Sequence, residues 1–365
     1  MRARQSIGLR MAIPMSKYWS DLVKQLDPYT PGEQPQVSDI TKLNTNENPF
    51  GPSPSVIKAI RAQLTDDLRL YPPPESDQLK TTIADYFALQ PSQIFLGNGS
   101  DEVLAHVFNG LLRKDLPLLF PDITYSFYPV FCALYDIQFE KIPLTNDLCI
   151  DVNDYNRGNG GIIFPNPNAP TGDLLTIDAI ESLLQSSAES VVVIDEAYID
   201  FGGVSAASLI NKYPNVLVVQ TMSKSRSLAG MRIGYAMGSE ALIEGLDRVK
   251  NSFNSYPLGH LQIAAGIAAF EDDAYFRKIC EQVIENRTLL TDSLLQRGFR
   301  VLPSGGNFVF ATHEERSAVE IFQHLKAENV LVRHFQQPRI EQFLRITVGT
   351  EEEIQRVIVA LDRLI

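Results

Sequence analysis

In the middle of the chain, short apolar runs alternate with stretches in which apolar and polar positions have helical spacing. Short, uninterrupted apolar runs predict buried strands at residues 116–120, 161–164, 191–195, 216–220 and 233–237. Amphipathic spacing predicts helices at residues 55–64, 75–89, 101–112, 125–134 and 176–185. Strands that are separated by helices form mostly parallel sheets with both faces covered, so the pattern predicts an α/β fold.

The two ends of the chain carry different patterns. An amphipathic stretch predicts a short helix at residues 16–26, and a proline-rich arm follows it at 28–35. Helical periodicity dominates from 239 to about 297, with a long helix after Asp272. The remainder predicts a smaller α/β domain, with strands near Phe308 and Leu344 and helices near Ser317 and Glu351.

These patterns divide the chain into parts. We expect a disordered leader at 1–15, an N-terminal arm and helix at 16–50, a large domain at 51–270 and a small C-terminal domain at 271–365. No flexible linker separates the two domains, so they should pack together. The expected ligand cleft lies between them, at the carboxyl ends of the sheet strands.

A polar loop between two predicted strands carries a single lysine, Lys224. An ammonium group between buried strands is unfavourable, so the pKa of Lys224 should fall and its amine should become a usable nucleophile. Thr221, Ser223 and Arg232 flank it, and hydroxyls beside a guanidinium suit a phosphate monoester. An amine able to form a Schiff base, next to a phosphate site, predicts pyridoxal 5′-phosphate (PLP) as cofactor. The alternative is an ordinary Lys/Arg pair in a surface loop.

Two further sites support this chemistry. The apolar strand that ends at Asp195 places a carboxylate at the carboxyl edge of the sheet, and PLP needs an anion beside its pyridine nitrogen. Ser100 and Asp101 follow a glycine-rich turn ahead of an apolar helix, where free N–H groups favour a phosphate. Simple helix capping is the alternative for both sites.

The motifs occur in an order that resembles the fold-type I PLP-dependent aminotransferases. The similarity runs from about Tyr29 to the C-terminus and includes TKLNTNENPFGPSP at 41–54, YPPPE at 71–75, GNGSDE at 97–102, NPNAPTG at 166–172, DEAY at 195–198 and LRITVG at 344–349. The resemblance implies a PLP-binding large domain, a homodimer, and amino transfer between L-histidinol phosphate and 2-oxoglutarate. An aromatic amino-acid aminotransferase, a decarboxylase that acts on threonine phosphate and a PLP-binding sensor without turnover remain alternatives.

The resemblance also implies roles for individual residues. Lys224 would bind the cofactor and carry a proton, while Asp195, Tyr198 and Tyr125 would contact the pyridine nitrogen, the ring oxygen O3′ and the ring face. The cofactor phosphate would be bound by Ser100, Asp101, Thr221, Ser223 and Arg232, and by Tyr71 from the partner chain. The substrate would contact Tyr29, Asn307, Arg333 and Arg345.

One position departs from the family pattern. Many members carry asparagine directly before Pro-Thr-Gly, where its amide bonds O3′, but this chain has Ala169 there. Either Asn168 reaches the oxygen from one residue earlier, or the contact rests on Tyr198 alone. We therefore include Asn168 among the candidate cofactor residues.

Composition narrows the classes of partner. A net charge of −12 opposes a nucleic-acid partner, because phosphate backbones require clustered lysine and arginine. The three cysteines and five histidines show no metal-ligand spacing, so we expect no metal and a reducing, cytoplasmic setting. No apolar run is long enough to span a membrane.

Overall fold

The structure is a computed structural model that describes residues 16–30, 32–34 and 39–365 of the chain. The predicted leader at 1–15 lies outside the described residues, as do Pro31 and residues 35–38 of the predicted arm.

The helices follow the predicted pattern, with ends that differ by a few residues. In the described part of the chain they are α1 (Asp21–Gln25), α2 (Pro54–Ala62), α3 (Asp77–Phe87), α4 (Ser100–Gly110), α5 (Tyr128–Tyr135), α6 (Ile177–Ser186), α7 (Glu240–Asn251), α8 (His260–Glu271), α9 (Asp273–Leu295), α10 (Ala318–Ala327) and α11 (Glu351–Leu361). The predicted helix at 125–134 begins only at Tyr128, because Pro129 suits a first turn and lacks an N–H for an interior position. Tyr125 is therefore free of the helix.

A seven-stranded sheet forms the centre of the large domain. Its strands are β2 (Ile94–Gly97), β3 (Leu118–Pro121), β4 (Phe139–Ile142), β5 (Gly161–Pro165), β6 (Val192–Asp195), β7 (Val216–Thr221) and β8 (Gly234–Gly238). They lie in the order β2-β8-β7-β6-β5-β3-β4, and only β8 runs antiparallel to its neighbours. The predicted mostly parallel α/β sheet is confirmed.

The apolar strand runs are explained by two apolar layers, one on each face of this sheet. In β6, Val192 and Ile194 pack into the layer that contains Leu79 and Phe164, whereas Val193 packs into the opposite layer. Both faces of the strand are therefore covered, and each position in the run is apolar. The edge strand β4 was not predicted, because three of its four residues are exposed and two of those are charged.

A second, antiparallel sheet forms the small domain. It contains β9 (Phe299–Leu302), β10 (Phe308–His313), β12 (Arg333–His334) and β13 (Leu344–Thr347), in the order β12-β13-β10-β9. The arm adds β1 (Thr41–Lys42), which pairs in parallel with β11 (Val330–Leu331). The arm is thus hydrogen-bonded to the small domain just before it reaches the large one. The domain boundaries at 50 and 270 stay predictions.

Among the residues that the structure describes, no helix combines the length and the apolar character that a membrane crossing requires.

Gly234 allows the turn before α4 to lie directly against β8. A Cβ atom at Gly234 would lie 2.3 Å from the backbone nitrogen of Ser100 and 2.4 Å from the carbonyl carbon of Gly99. We expect Gly234→Ala to displace this turn and to lower the free energy of unfolding by about 1–3 kcal/mol, as overpacking does. Chemical denaturation measures the loss.

The matched control is Gly158→Ala, because Gly158 is exposed and a Cβ there would meet no atom within 4 Å. This control should change stability by less than about 0.5 kcal/mol. Equal effects of the two substitutions would contradict the close approach of the turn to β8.

Candidate active site

A cavity of about 320 Å³ lies at the carboxyl ends of the central strands, between the large and small domains. Pro165, Asp195 and Thr221, at the ends of β5, β6 and β7, line its floor. Arg333 and Arg345 line it from the small domain. This is the position where α/β sheets place their ligands.

Lys224 points its amine into this cavity. The residue is only partly buried because it faces the cavity, but protein surrounds the amine on its other sides, and its Nζ donates to the carbonyl oxygen of Thr45 at 2.9 Å. Burial, and secondarily the positive charge of Arg345, lower the pKa of Lys224 to about 8. A much larger fraction of this amine is therefore unprotonated near neutral pH than for an exposed lysine.

Asp195 is a buried carboxylate with one oxygen unused. Its Oδ2 accepts from the hydroxyl of Tyr128 at 3.0 Å, and its Oδ1 has no hydrogen-bond partner within the part of the chain that the structure describes. Burial raises the pKa of Asp195 to about 6, while the bond from Tyr128 acts in the opposite direction. The free oxygen is placed to receive a cationic or N–H group of a ligand.

Five polar residues line one part of the cavity floor. We call them the polar corner: Ser100, Asp101, Thr221, Ser223 and Arg232. Arg232 donates to Oδ2 of Asp101 at 3.0 Å and to Oγ of Ser223 at 3.4 Å, and the hydroxyls of Thr221 and Ser223 are 3.0 Å apart. Because α4 begins at Ser100, its first N–H groups also lie in this corner. The polar corner can therefore bind a phosphate.

Glycine is required in the turn beside the polar corner. Gly99 has a φ of +80°, and a Cβ atom there would lie 2.3 Å from Nη2 of Arg232. Only glycine lets the guanidinium lie against this turn.

Two tyrosines close the cavity on the side of the large domain. The hydroxyl of Tyr125 donates to Oδ1 of Asp101 at 3.0 Å, which orients the Tyr125 ring beside the cavity. Tyr29, from the arm, packs on Phe127 with ring centroids 4.7 Å apart and lies 6.5 Å from the Tyr125 ring. Both tyrosines line the cavity, and their contacts with a cofactor ring and a substrate stay predictions.

Arg333 and Arg345 lie side by side on paired strands, opposite each other in the register of β12 and β13. Arg345 donates to the carbonyl oxygen of Asn44 at 3.1 Å, and its buried Nε has no hydrogen-bond partner among the described residues. Burial lowers the pKa of Arg345, and the charge of Arg333 lowers it further. Within the described residues neither arginine pairs with a carboxylate, so both guanidinium groups are available to an anion in the cavity.

The structure does not bring Asn168 to the cavity surface. Its side chain is fully buried, and its amide donates to the carbonyl oxygen of Ile123 and to Oγ1 of Thr171, both at 3.0 Å. Ala169 lines the cavity in its place. The option that Asn168 supplies the missing contact is therefore not supported by its position.

Asn307 and Tyr71 also lie away from the cavity of this chain. Asn307 is fully buried, does not line the cavity and donates to the backbone carbonyl oxygen of Asn46 at 3.0 Å, so its amide contacts the arm and its contact with a substrate stays a prediction. Tyr71 is 81% exposed and packs on Tyr256, with ring centroids 4.8 Å apart. Any role of Tyr71 at a cofactor thus requires a second chain.

Several residues at the site were missed from the sequence. Tyr128 looks like an ordinary core aromatic, although its position one helical turn after Tyr125 signals a shared face. Thr45 and Asn46 belong to a quoted motif, but nothing in the motif gives them a role. Phe335 and Ile340 line the cavity from a loop without a distinctive pattern.

Comparison with known proteins places this site in a family. The family model for aminotransferase class I and II matches residues 38–361. The chain is 60% identical over 347 residues to histidinol-phosphate aminotransferase 1 of Pseudomonas aeruginosa, covering 95% of this chain and 99% of the relative. It is 60% identical over 339 residues to histidinol-phosphate aminotransferase 1 of Hydrogenovibrio crunogenus, covering 93% and 95%.

A solved structure agrees with the fold. The histidinol-phosphate aminotransferase of Sinorhizobium meliloti, solved with pyridoxal-5′-phosphate, superposes with a TM-score of 0.86 at 23% identity, covering 96% of this chain and 100% of that one. The predicted fold-type I architecture is confirmed. The chain therefore belongs to the class I and II aminotransferases and, within them, to the histidinol-phosphate aminotransferases.

Proposed function

We propose that this protein uses PLP to transfer an amino group between L-histidinol phosphate and 2-oxoglutarate, yielding imidazole-acetol phosphate and L-glutamate. One observation carries the proposal. One cavity is faced by a lysine amine of lowered pKa and by a buried carboxylate with a free oxygen. The same cavity is faced by two arginines that have no carboxylate partner among the described residues.

The residues fit PLP at each of its polar groups. The free Oδ1 of Asp195 suits a protonated pyridine nitrogen, since a buried carboxylate without a second partner favours a cation. The polar corner suits the phosphate, and the amine of Lys224 suits the aldehyde. When bound, PLP accepts the electron pair that is released as a proton leaves the substrate Cα.

The protein's own groups then perform the proton transfer. Lys224 is proposed to move the proton between the substrate Cα and C4′ of the cofactor, for which a pKa of about 8 is well matched. Asp195, held by Tyr128, keeps a negative charge at the pyridine nitrogen. The hydroxyl of Tyr198 contacts the ring oxygen O3′ in this proposal.

Recognition of both substrates falls to the arginine pair. Arg333 and Arg345 present two guanidinium groups, which bind a phosphate or a carboxylate with the same geometry. One pocket can therefore accept the phosphate of L-histidinol phosphate and a carboxylate of 2-oxoglutarate in turn. Tyr29 and Phe335 supply the apolar walls that exclude water from this end.

We also propose a homodimer in a cytoplasmic setting. The exposed apolar side chains near Tyr71, which would be covered by a second chain, are Leu64, Leu68, Leu70 and Tyr256. All three cysteines are unpaired, which supports a reducing compartment.

The substrate is tested by half-reactions of the PLP-loaded enzyme. Stopped-flow absorbance should show L-histidinol phosphate reacting with a kcat/KM at least about 100-fold above histidine, tyrosine and phenylalanine, because only it offers a phosphate to the arginine pair. Arg333→Gln should reduce this preference about tenfold or more. The pyridoxamine form should then react with 2-oxoglutarate and release glutamate.

The other outcomes separate the alternatives. Equal rates with tyrosine or phenylalanine would support an aromatic amino-acid aminotransferase, and CO2 release without glutamate would support a decarboxylase. A PLP-loaded protein whose absorbance does not change when any of the amines is added would support a PLP-binding sensor. Each of these results contradicts the proposed substrate.

Complementation tests the role of Tyr71 in the dimer. Tyr71→Ala and Lys224→Ala chains should each be nearly inactive alone. After unfolding and refolding together in equal amounts, the mixture should recover up to about a quarter of wild-type activity, because half of the dimers then contain one intact site of two. Absence of recovery, with dimers still formed in sedimentation, would refute a Tyr71 contribution across the interface.

A further inference from the structure

Asn46 lies directly behind Tyr198, the proposed contact of the ring oxygen. Its Nδ2 donates to the Tyr198 hydroxyl at 3.1 Å. A phenol oxygen that accepts a hydrogen bond at this point still has its own proton to donate elsewhere. The Tyr198 proton is therefore directed away from Asn46.

The orientation of the Asn46 amide is determined by its other contacts. Oδ1 of Asn46 accepts from Oγ1 of Thr347 at 3.1 Å, and the same oxygen of Thr347 accepts from the Asn46 backbone N–H at 3.0 Å. Because Asn46 and Thr347 are both buried, turning the amide over would leave the Thr347 hydroxyl hydrogen without its acceptor, so Nδ2 stays toward Tyr198. Asn307 donates to the backbone carbonyl oxygen of Asn46 at 3.0 Å and so positions the backbone at this residue.

The backbone at Asn46 is also suited to asparagine. Its φ of +56° lies in the left-handed region, which asparagine tolerates better than most other residues. The position therefore combines a special backbone conformation with a buried amide whose nitrogen and oxygen are each hydrogen-bonded.

The departure at Ala169 makes the direction of the Tyr198 proton important. Ala169 lines the cavity with a methyl group, and the amide hydrogens of Asn168 are used by Ile123 and Thr171. Neither side chain can therefore donate to a ligand oxygen. Tyr198, which lines the same cavity, carries a side-chain donor that can take this role.

We propose that Asn46 is a positioning residue that directs the hydroxyl proton of Tyr198 toward the cofactor ring oxygen and so offsets the asparagine that is missing at position 169. The inference rests on the proposed PLP chemistry, because it concerns a contact with the cofactor. A hydrogen bond donated into the Tyr198 oxygen polarises its O–H and makes it a stronger donor. The ionised form of the ring oxygen is stabilised as a result.

The test is a pH titration of the visible absorbance of the loaded, substrate-free enzyme. Asn46→Gly removes the amide while glycine tolerates the backbone conformation. It should raise the midpoint of the titration by about 0.5–1 pH unit, the size expected for loss of one hydrogen bond. Asn46→Asp should raise the midpoint further, since a carboxylate would accept the hydrogen bond of the Tyr198 hydroxyl and add negative charge beside it.

The Tyr198→Phe variant tests whether Asn46 acts through Tyr198. This variant should raise the midpoint by itself, and adding Asn46→Gly to it should cause no further shift, because Asn46 acts through Tyr198. PLP affinity, measured by fluorescence, should follow the same pattern. Thermal melting shows that each variant is folded.

Asn329→Gly is the matched control. Asn329 has a φ of +61°, close to that of Asn46, but it is exposed and lies outside the cavity lining. Its midpoint should equal that of the wild type. An equal shift in Asn329→Gly, no shift in Asn46→Gly, or additive shifts in the double variant would each overturn the inference. If the wild-type protein instead fails to transfer amino groups, the proposed function itself fails.

Discussion

The chemistry of the site depends on the environment of the Lys224 amine, which has no carboxylate as a hydrogen-bond partner among the described residues. Its amine donates to a backbone carbonyl, that of Thr45, and lies near the cationic Arg345. A carboxylate in contact would favour the ammonium form and raise the pKa, whereas burial beside a neutral carbonyl lowers it. The strands β6 and β7, the arm and the small domain all contribute to this environment. The reactive amine is thus a property of the whole fold rather than of its loop.

Two other polar groups of the cavity are incompletely paired. Among the described residues, one carboxylate oxygen of Asp195 and the buried Nε of Arg345 have no hydrogen-bond partner. Unpaired buried polar groups are destabilising, and real proteins accept such exceptions at functional sites. A negative group at one side and two positive groups at the other match a protonated ring nitrogen and an anionic substrate. The cavity is therefore complementary to its ligands before they bind.

Local patterns predicted much of this arrangement, and contacts between distant segments account for the rest. Apolar runs identified the central strands, and the lysine loop identified the chemistry, because both are encoded by neighbouring residues. The sequence leaves open whether Asn168 reaches the cofactor, and the structure buries its side chain against Ile123 and Thr171. Asn46 bonds Thr347 across 301 positions of sequence, which no local pattern reveals. Tyr128 was hidden because a buried tyrosine resembles core packing until its hydroxyl partner is known.

The central claim is that burial makes the Lys224 amine a nucleophile near neutral pH. The most direct measurement is the pH dependence of the rate at which the aldimine absorbance appears when PLP is added to the cofactor-free protein, with Lys224→Ala as the control. Because only the unprotonated amine attacks an aldehyde, the rate should rise with pH and level off with a midpoint of about 8. A midpoint close to 10.5, the ordinary value for lysine, or the same absorbance change in Lys224→Ala, would contradict the account.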